Sequence, residues 1–191
     1  MKPSQLATLI TAAIRHRLPT LIVGGPGIGK TSIVEQACRA AENDLVVSHP
    51  AVADPTDAKG LPWISKDQES AHFVPFGETL RVLKSETPTV WFWDDLGQAP
   101  AAVQASFMPW LLARRVNGHR LPDHVTIIAA TNRRTDRAGV TGILEPVKSR
   151  FSTIVELEPD LDEWCRWALA QSWMPPELVA FLRFKPDELH K

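Results

Sequence analysis

Residues 24–31 read Gly24-Gly25-Pro26-Gly27-Ile28-Gly29-Lys30-Thr31 and match G-x-x-x-x-G-K-[ST] at every position. This motif constrains the fold because it works only between a strand and a helix. Its glycines let the backbone turn until several N–H groups face one point, which makes an anion nest. The helix that follows adds the positive end of its dipole. Lys30 supplies a point charge for the β- and γ-phosphates, and the Thr31 hydroxyl can ligate magnesium. The context is met. The apolar run Leu21-Ile22-Val23 precedes the loop, and a helical pattern over about 30–42 follows it. A chance glycine-rich turn would lack both neighbours. Gly24, Gly25, Pro26, Gly27, Ile28, Gly29, Lys30, Thr31 and Ser32 are therefore the expected phosphate-binding residues, for ATP with Mg2+.

The rest of the chain supports an α/β fold. Leu6, Leu9, Ile10, Ala13 and Ile14 fall on one face of a helix over 4–17, with Ser4 as its N-cap. Further short apolar runs at 45–47, 90–93, 125–129 and 152–155 read as strands. Helical patterns occupy 100–113, 160–172 and 176–184, the last two separated by Pro175-Pro176. Residues 49–88 are rich in Pro, Asp and Ser and predict loops, with short strands or a helix near 76–84. Asn117-Gly118 predicts a tight hairpin within 114–126. Strands that are continuous apolar runs, alternating with helices, imply a parallel sheet covered on both faces. The expected architecture is a P-loop NTPase three-layer sandwich with a central parallel five-stranded sheet. A nucleotide-binding core over 1–158 is followed by a partial helical lid over 159–191.

Composition excludes several classes. The formal net charge of −1 gives no global attraction to nucleic acid or to anionic membranes. No apolar run approaches the ~20 residues of a membrane span. The two cysteines, Cys38 and Cys165, lack metal-ligand spacing and read as buried reduced thiols inside helices. Four of the six histidines, His49, His72, His119 and His124, are scattered without ligand spacing. A soluble, cytoplasmic protein is expected.

A second acidic element completes the nucleotide chemistry. Val90-Trp91-Phe92-Trp93-Asp94-Asp95 is an apolar strand ending in two carboxylates. In open α/β sheets ligands bind at that carboxyl edge. Asp94 would hold magnesium, directly or through water. Asp95 would stand beside the attacking water and polarise it.

At this point the sequence resembles the AAA+ ATPases. The phosphate loop, Trp93-Asp94-Asp95-Leu96-Gly97, Ala130-Thr131-Asn132 and Lys148-Ser149-Arg150-Phe151 occur in that family's order, over about residues 18–157. The stretch from Asp94 through Gln98-Ala99-Pro100 to Arg150-Phe151 looks most like the MoxR-like and dynein-related branch. The resemblance implies that Asn132 is the sensor-1 polar residue, orienting water against the γ-phosphate. It implies that Arg150 is an arginine finger that reaches a neighbouring subunit's nucleotide. It also implies a homo-oligomeric ring, a hexamer, that acts on a protein partner in a chaperone-like way. Partners carrying a von Willebrand A-type domain are common in this branch.

The sequence departs from the family pattern in two places. Asp95 stands where the family usually has Glu, one methylene longer, and a misplacement of ~1 Å can cost ~100-fold in rate. No residue up to Lys191 matches the later sensor-2 arginine of the lid, and Arg183 has the wrong surroundings. A fragment and a naturally short lid both fit that ending. Three functions follow in order: an ATPase that remodels a protein partner, a nucleotide-gated oligomeric scaffold of very slow turnover, and a small-molecule kinase. Arg114, Arg115, Arg120, Arg133, Arg134 and Arg137 form a local basic cluster, read first as a subunit interface, second as a solvated face, and third as a nucleic-acid contact. Trp91, Trp93, Trp164 and Trp167 read as core, and Trp63 as a partner contact.

Overall fold

The computed structural model describes residues 1–66, 69–136 and 142–190, with the side chain of Arg134 also outside the description. The chain opens with helix α1 (Pro3–His16) and strand β1 (Thr20–Val23), then α2 (Lys30–Ala40) and β2 (Asp44–Ser48). Short helix α3 (Pro55–Lys59), strands β3 (Leu61–Ile64) and β4 (Ala71–Val74) and helix α4 (Gly77–Leu83) fill the polar stretch. Strand β5 (Thr89–Trp93), helix α5 (Ala101–Leu112), the two-residue strands β6 (Arg115–Val116) and β7 (His119–Arg120), and β8 (Val125–Thr131) follow. Helix α6 (Glu145–Lys148), strand β9 (Thr153–Glu156) and helices α7 (Leu161–Leu169) and α8 (Pro176–Phe184) complete it.

The main sheet runs β2-β5-β8-β1-β9, with every neighbouring pair parallel. The five strands expected from the sequence are the five strands present. Their period of two sorts the core into two layers. Leu21, Trp91, Trp93, Ile127 and Ala129 face one side and pack with Val103, Phe107 and Trp110 of α5. Ile22, Val90, Phe92, Ile128 and Ala130 face the other and pack with Leu6 and Ile10 of α1 and Val34 of α2. Burial of each such side chain stabilises the fold by about 1.5–3 kcal/mol. Continuous apolar runs such as 90–93 follow from burial on both faces, since neither face meets water.

The tryptophans divide by layer. Trp91 and Trp93 are fully buried and meet edge to face, with ring centroids 5.3 Å apart. The Trp91 indole donates to Ser48 Oγ at 2.9 Å, and Trp110 donates to the Ala58 carbonyl at 3.0 Å, so both buried N–H groups are satisfied. Trp167 departs from its expected core role. It is exposed and meets Trp173 edge to face, and it lines a cavity where it is not covered by core side chains.

Several boundaries move by one to three residues. The N-cap of α1 is Lys2 and not Ser4, because Pro3 takes the first helical position, where its missing N–H costs nothing. Ser4 instead donates its hydroxyl to Glu163 in α7 at 2.6 Å and its N–H to the same carboxylate at 2.8 Å. The Asn117-Gly118 turn between β6 and β7 has φ of 48° and 86°, the two left-handed positions that a tight hairpin requires. Residues 49–88 hold both a hairpin, β3–β4, and a helix, α4. All eight residues of that hairpin's strands are exposed, including Trp63 and Ile64. Helices α7 and α8 close over a small cluster of their own around Cys165, Ala168 and Val179. Among the described residues no helix is long and apolar enough to cross a membrane.

Candidate nucleotide site

Sheet register brings the site together. Val23 of β1 pairs with Thr131 of β8, and the Gly24 N–H donates to the Thr131 carbonyl at 3.1 Å. The first residue past β8, Asn132, therefore lands beside the start of the phosphate loop. On the other side, Ser48 pairs with Trp93, and the Asp94 N–H donates to the Ser48 carbonyl at 2.9 Å. Three strands thus end at one edge, where the loop, the acids and the amide meet.

The loop has the backbone its glycines predict. Gly27 and Gly29 sit at φ of 74° and 91°, a region that a Cβ would strain, and Gly29 caps the start of α2. Lys30 is buried, with 6% of its surface exposed. Its ammonium donates to the Gly24 carbonyl at 2.9 Å, the Gly25 carbonyl at 2.7 Å and Asn132 Oδ1 at 2.6 Å. All three N–H bonds of the ammonium have an acceptor. Burial pushes its pKa below the ordinary lysine value, while the nearby carboxylates of Asp95 and Asp94 pull it back up.

Thr31 Oγ1 donates to Asp94 Oδ2 at 2.7 Å. These are the hydroxyl and the carboxylate expected to share a magnesium ion. Both are hard oxygen donors, which suits Mg2+. No group of three or more His, Cys, Asp or Glu side chains among the described residues could hold a metal. A Mg2+ held by one hydroxyl, one carboxylate, water and phosphate needs no such group.

Asp95 has φ 57° and ψ 34°, the left-handed region. Aspartate tolerates that backbone better than longer or branched side chains do. Its Oδ1 accepts from Gln98 Nε2 at 2.8 Å, and its N–H donates to Asp94 Oδ1 at 3.1 Å. Gly97 follows where any Cβ would collide with the Thr131 hydroxyl, so the turn after the acids fits tightly under β8.

Lys30 is therefore hydrogen-bonded to Asn132 and its chain neighbour Thr31 to Asp94, and Asp95 joins through Asp94. Arg150 is not part of that group. It lies just past α6, exposed, and its guanidinium donates to Ser149 Oγ at 2.9 Å. The basic cluster is largely occupied within the chain. Arg114 donates to the Pro122 and Val125 carbonyls, Arg120 pairs with Asp123 at 2.9 Å, and Arg133 pairs with Glu156 at 2.7 Å. That occupancy favours the solvated, ion-paired face over the interface ranked first from sequence, leaving Arg115 exposed. Arg137 and the Arg134 side chain lie outside the described residues.

One component was not legible in the sequence. A cavity of about 680 Å3 opens beside the phosphate loop, lined by Ser4 and Ala7 of α1, Gly27 and Ile28 of the loop, and Trp164 and Asp160 at the start of α7. It joins segments more than 150 positions apart, so no local motif marks it. Trp164, which reads as core in the sequence, is half-buried and lines this cavity.

A family model described as the AAA domain, dynein-related subfamily, matches residues 19–151. No curated protein matches the chain. Among solved structures, the RuvB Holliday junction branch migration motor of Thermotoga maritima aligns at 19% identity and TM-score 0.56, covering 86% of this chain and 47% of that one. A predicted ATPase from Cytophaga hutchinsonii aligns at 16% identity and TM-score 0.59, covering 90% and 52%. NtrX from Brucella abortus, solved with ADP, aligns at 17% identity and TM-score 0.56, covering 86% and 38%. The likeness is one of fold, and the chain spans about half the length of these structures or less.

Proposed function

This chain belongs to the AAA domain family, dynein-related subfamily, and on that premise we propose that it binds Mg-ATP and hydrolyses it at a subunit interface to remodel a protein partner. The observation that carries the reading is the convergence on Lys30: two loop carbonyls and Asn132 hold its ammonium at the sheet edge where Asp94 and Thr31 also meet. The β- and γ-phosphates replace these three acceptors. The base enters the cavity between α1, the loop and α7, which serves as a partial lid over 159–191. Thr31 and Asp94 hold Mg2+, which offsets phosphate charge when bound. Asp95 takes a proton from the water that attacks the γ-phosphorus, as the bond to the bridging β-phosphate oxygen breaks and ADP leaves. Asn132 orients that water or the γ-phosphate.

Arg150 completes the site of the next subunit in a ring, which we take as a hexamer working in the cytoplasm. Its exposure and its freedom from carboxylates among the described residues support this role. The exposed hairpin β3–β4, with Trp63 at 65% exposure, supports a protein partner, for which a von Willebrand A-type domain is the candidate. A second reading is a nucleotide-gated scaffold that turns over very slowly. The short side chain of Asp95 favours it.

Light scattering with and without Mg-ATP, together with phosphate release, tests the proposal. Assembly on ATP with steady phosphate release supports the remodelling ATPase. Assembly without release supports the scaffold. A monomer under all conditions overturns both.

A further inference from the structure

Two glutamine side chains flank the same turn, Gln104 buried and Gln98 half-buried, and they differ in how they are used. Gln104 is tied at both ends: its amide donates to the Ala99 and Gly142 carbonyls at 3.0 and 2.9 Å, and its Oε1 accepts from the Leu144 N–H at 2.9 Å. It fastens three backbone segments and is structural. Gln98 is tied at one end. Its Nε2 donates to Asp95 Oδ1 at 2.8 Å, while its Oε1 is buried with no hydrogen-bond partner among the described residues. Leaving a buried acceptor unmade is unfavourable. A side chain kept for the fold would be replaced by an apolar one of the same length. Nor can the amide be flipped, because its oxygen would then face the Asp95 carboxylate.

We propose that Gln98 is a positioning residue for the hydrolytic acid: its amide fixes the rotamer of Asp95 and thereby compensates for the missing methylene at that position. The proposal rests on the reading of Asp95 as the base in ATP hydrolysis. The geometry gives the physical reason. Asp95 sits on a left-handed backbone, which sets the direction of its Cα–Cβ bond, and rotation about Cα–Cβ and Cβ–Cγ then aims the carboxylate. Oδ1 is engaged by Gln98, so Oδ2 is the oxygen left to face water. The Gln98 backbone N–H also donates to the Asp95 carbonyl at 3.0 Å, so donor and acceptor ride on one turn and keep a fixed separation. Without the amide the carboxylate can rotate, and small errors of aim cost large factors in rate.

The test uses the full chain with Gln98→Met, which keeps length and volume, removes the donor and removes the buried orphan oxygen. Turnover number, ATP dissociation constant and Tm are measured for Gln98→Met, Asp95→Asn and the double variant. We expect Gln98→Met to lower kcat by about 10–100-fold. ATP affinity should stay within about twofold, and Tm should equal or exceed that of the parent because the unpaired acceptor is gone. The double variant should be no slower than Asp95→Asn alone, since Gln98 acts only through that carboxylate. Gln98→Asn, which shortens the amide, should fall between. An unchanged kcat in Gln98→Met overturns the proposal, and so does an equal fractional loss in the Asp95→Asn background. A fall in Tm that accounts for the lost rate overturns it too, by returning Gln98 to a structural role. Full turnover in Asp95→Asn overturns the reading of Asp95 as base, which is a separate result.

Discussion

Lys30 Nζ donates to Asn132 Oδ1 at 2.6 Å and so joins two residues 102 positions apart. The lysine that ends the glycine-rich loop and the polar residue past β8 are thus hydrogen-bond partners at the sheet edge. On the proposed function, a phosphate would compete with Asn132 and with two loop carbonyls for the same ammonium, and would free the Asn132 amide oxygen.

Asn132→Ala should therefore split binding from turnover. Loss of a competing acceptor offsets any lost contact to phosphate, so ATP affinity is expected within a few-fold of the parent. Phosphate release should fall by about 100-fold, the scale for one preorganised hydrogen-bonding group. Calorimetry and a phosphate-release assay measure the two quantities. Equal losses in both would show that Asn132 serves binding alone.

Lys30→Ala should abolish the site more completely. Charge-assisted hydrogen bonds contribute about 1.5–3 kcal/mol each, and about 1.4 kcal/mol is tenfold. An ATP affinity at least 10–100-fold weaker is expected by titration calorimetry on that scale. Retained affinity would place the triphosphate elsewhere.

Asp95→Glu is expected to lower both stability and rate. Glutamate tolerates a left-handed backbone less well, at a cost on the order of 1 kcal/mol, and the longer side chain no longer meets the Gln98 amide at 2.8 Å. Thermal melts and phosphate release check this. A variant that turns over several-fold faster would favour the slow scaffold as the function of the parent chain.

Arg150→Ala should remove hydrolysis while leaving ATP binding intact, because the Arg150 side chain is hydrogen-bonded to Ser149 and not to Lys30, Thr31, Asp94 or Asn132 among the described residues. Mixing Arg150→Ala with Lys30→Ala should restore part of the activity, since each supplies what the other lacks at one kind of interface. Activity per subunit in the parent should rise with protein concentration. A flat profile and no complementation would end the idea of a finger acting across subunits.

Cys38 gives a pH dependence with a defined sign. Burial pushes its thiol up to about 12 from the usual 9. Between those values the unfolded chain has lost the proton and the folded chain keeps it. The contribution of Cys38 to stability is therefore full below about pH 9 and is lost as pH rises toward about 12. The chain has no tyrosine to titrate in that window. Tm should fall less steeply above pH 9 in Cys38→Ala than in the parent, and the native thiol should resist alkylation at pH 8.

Local chemistry explains what could be read directly. The phosphate loop is contiguous, and its glycines are required by backbone angles within the loop itself, as Gly27 and Gly29 show. The strands were legible because burial on both faces leaves only apolar residues in them. The Asn117-Gly118 hairpin was legible because its turn demands two left-handed residues. The cap of α1 was misplaced because Ser4 has a distant partner in α7, and no local rule weighs a bond to Glu163. Trp167 was misplaced because helical periodicity marks an apolar face without showing what covers it.

By itself, the sequence determined a phosphate-loop motif on a parallel α/β sheet, since that pattern lies within eight consecutive residues and their flanking strand and helix. Only the tertiary structure decided which acceptors hold Lys30, that the Gln98 amide donates to the Asp95 carboxylate, and that α1 and α7 wall a cavity beside the loop. These relationships follow from sheet register and helix packing. Val23 opposite Thr131 puts Asn132 beside the loop, and a shift of one residue in that pairing would move it away. Side-chain partners across such distances are fixed by the packing of the whole sheet, which no local pattern encodes.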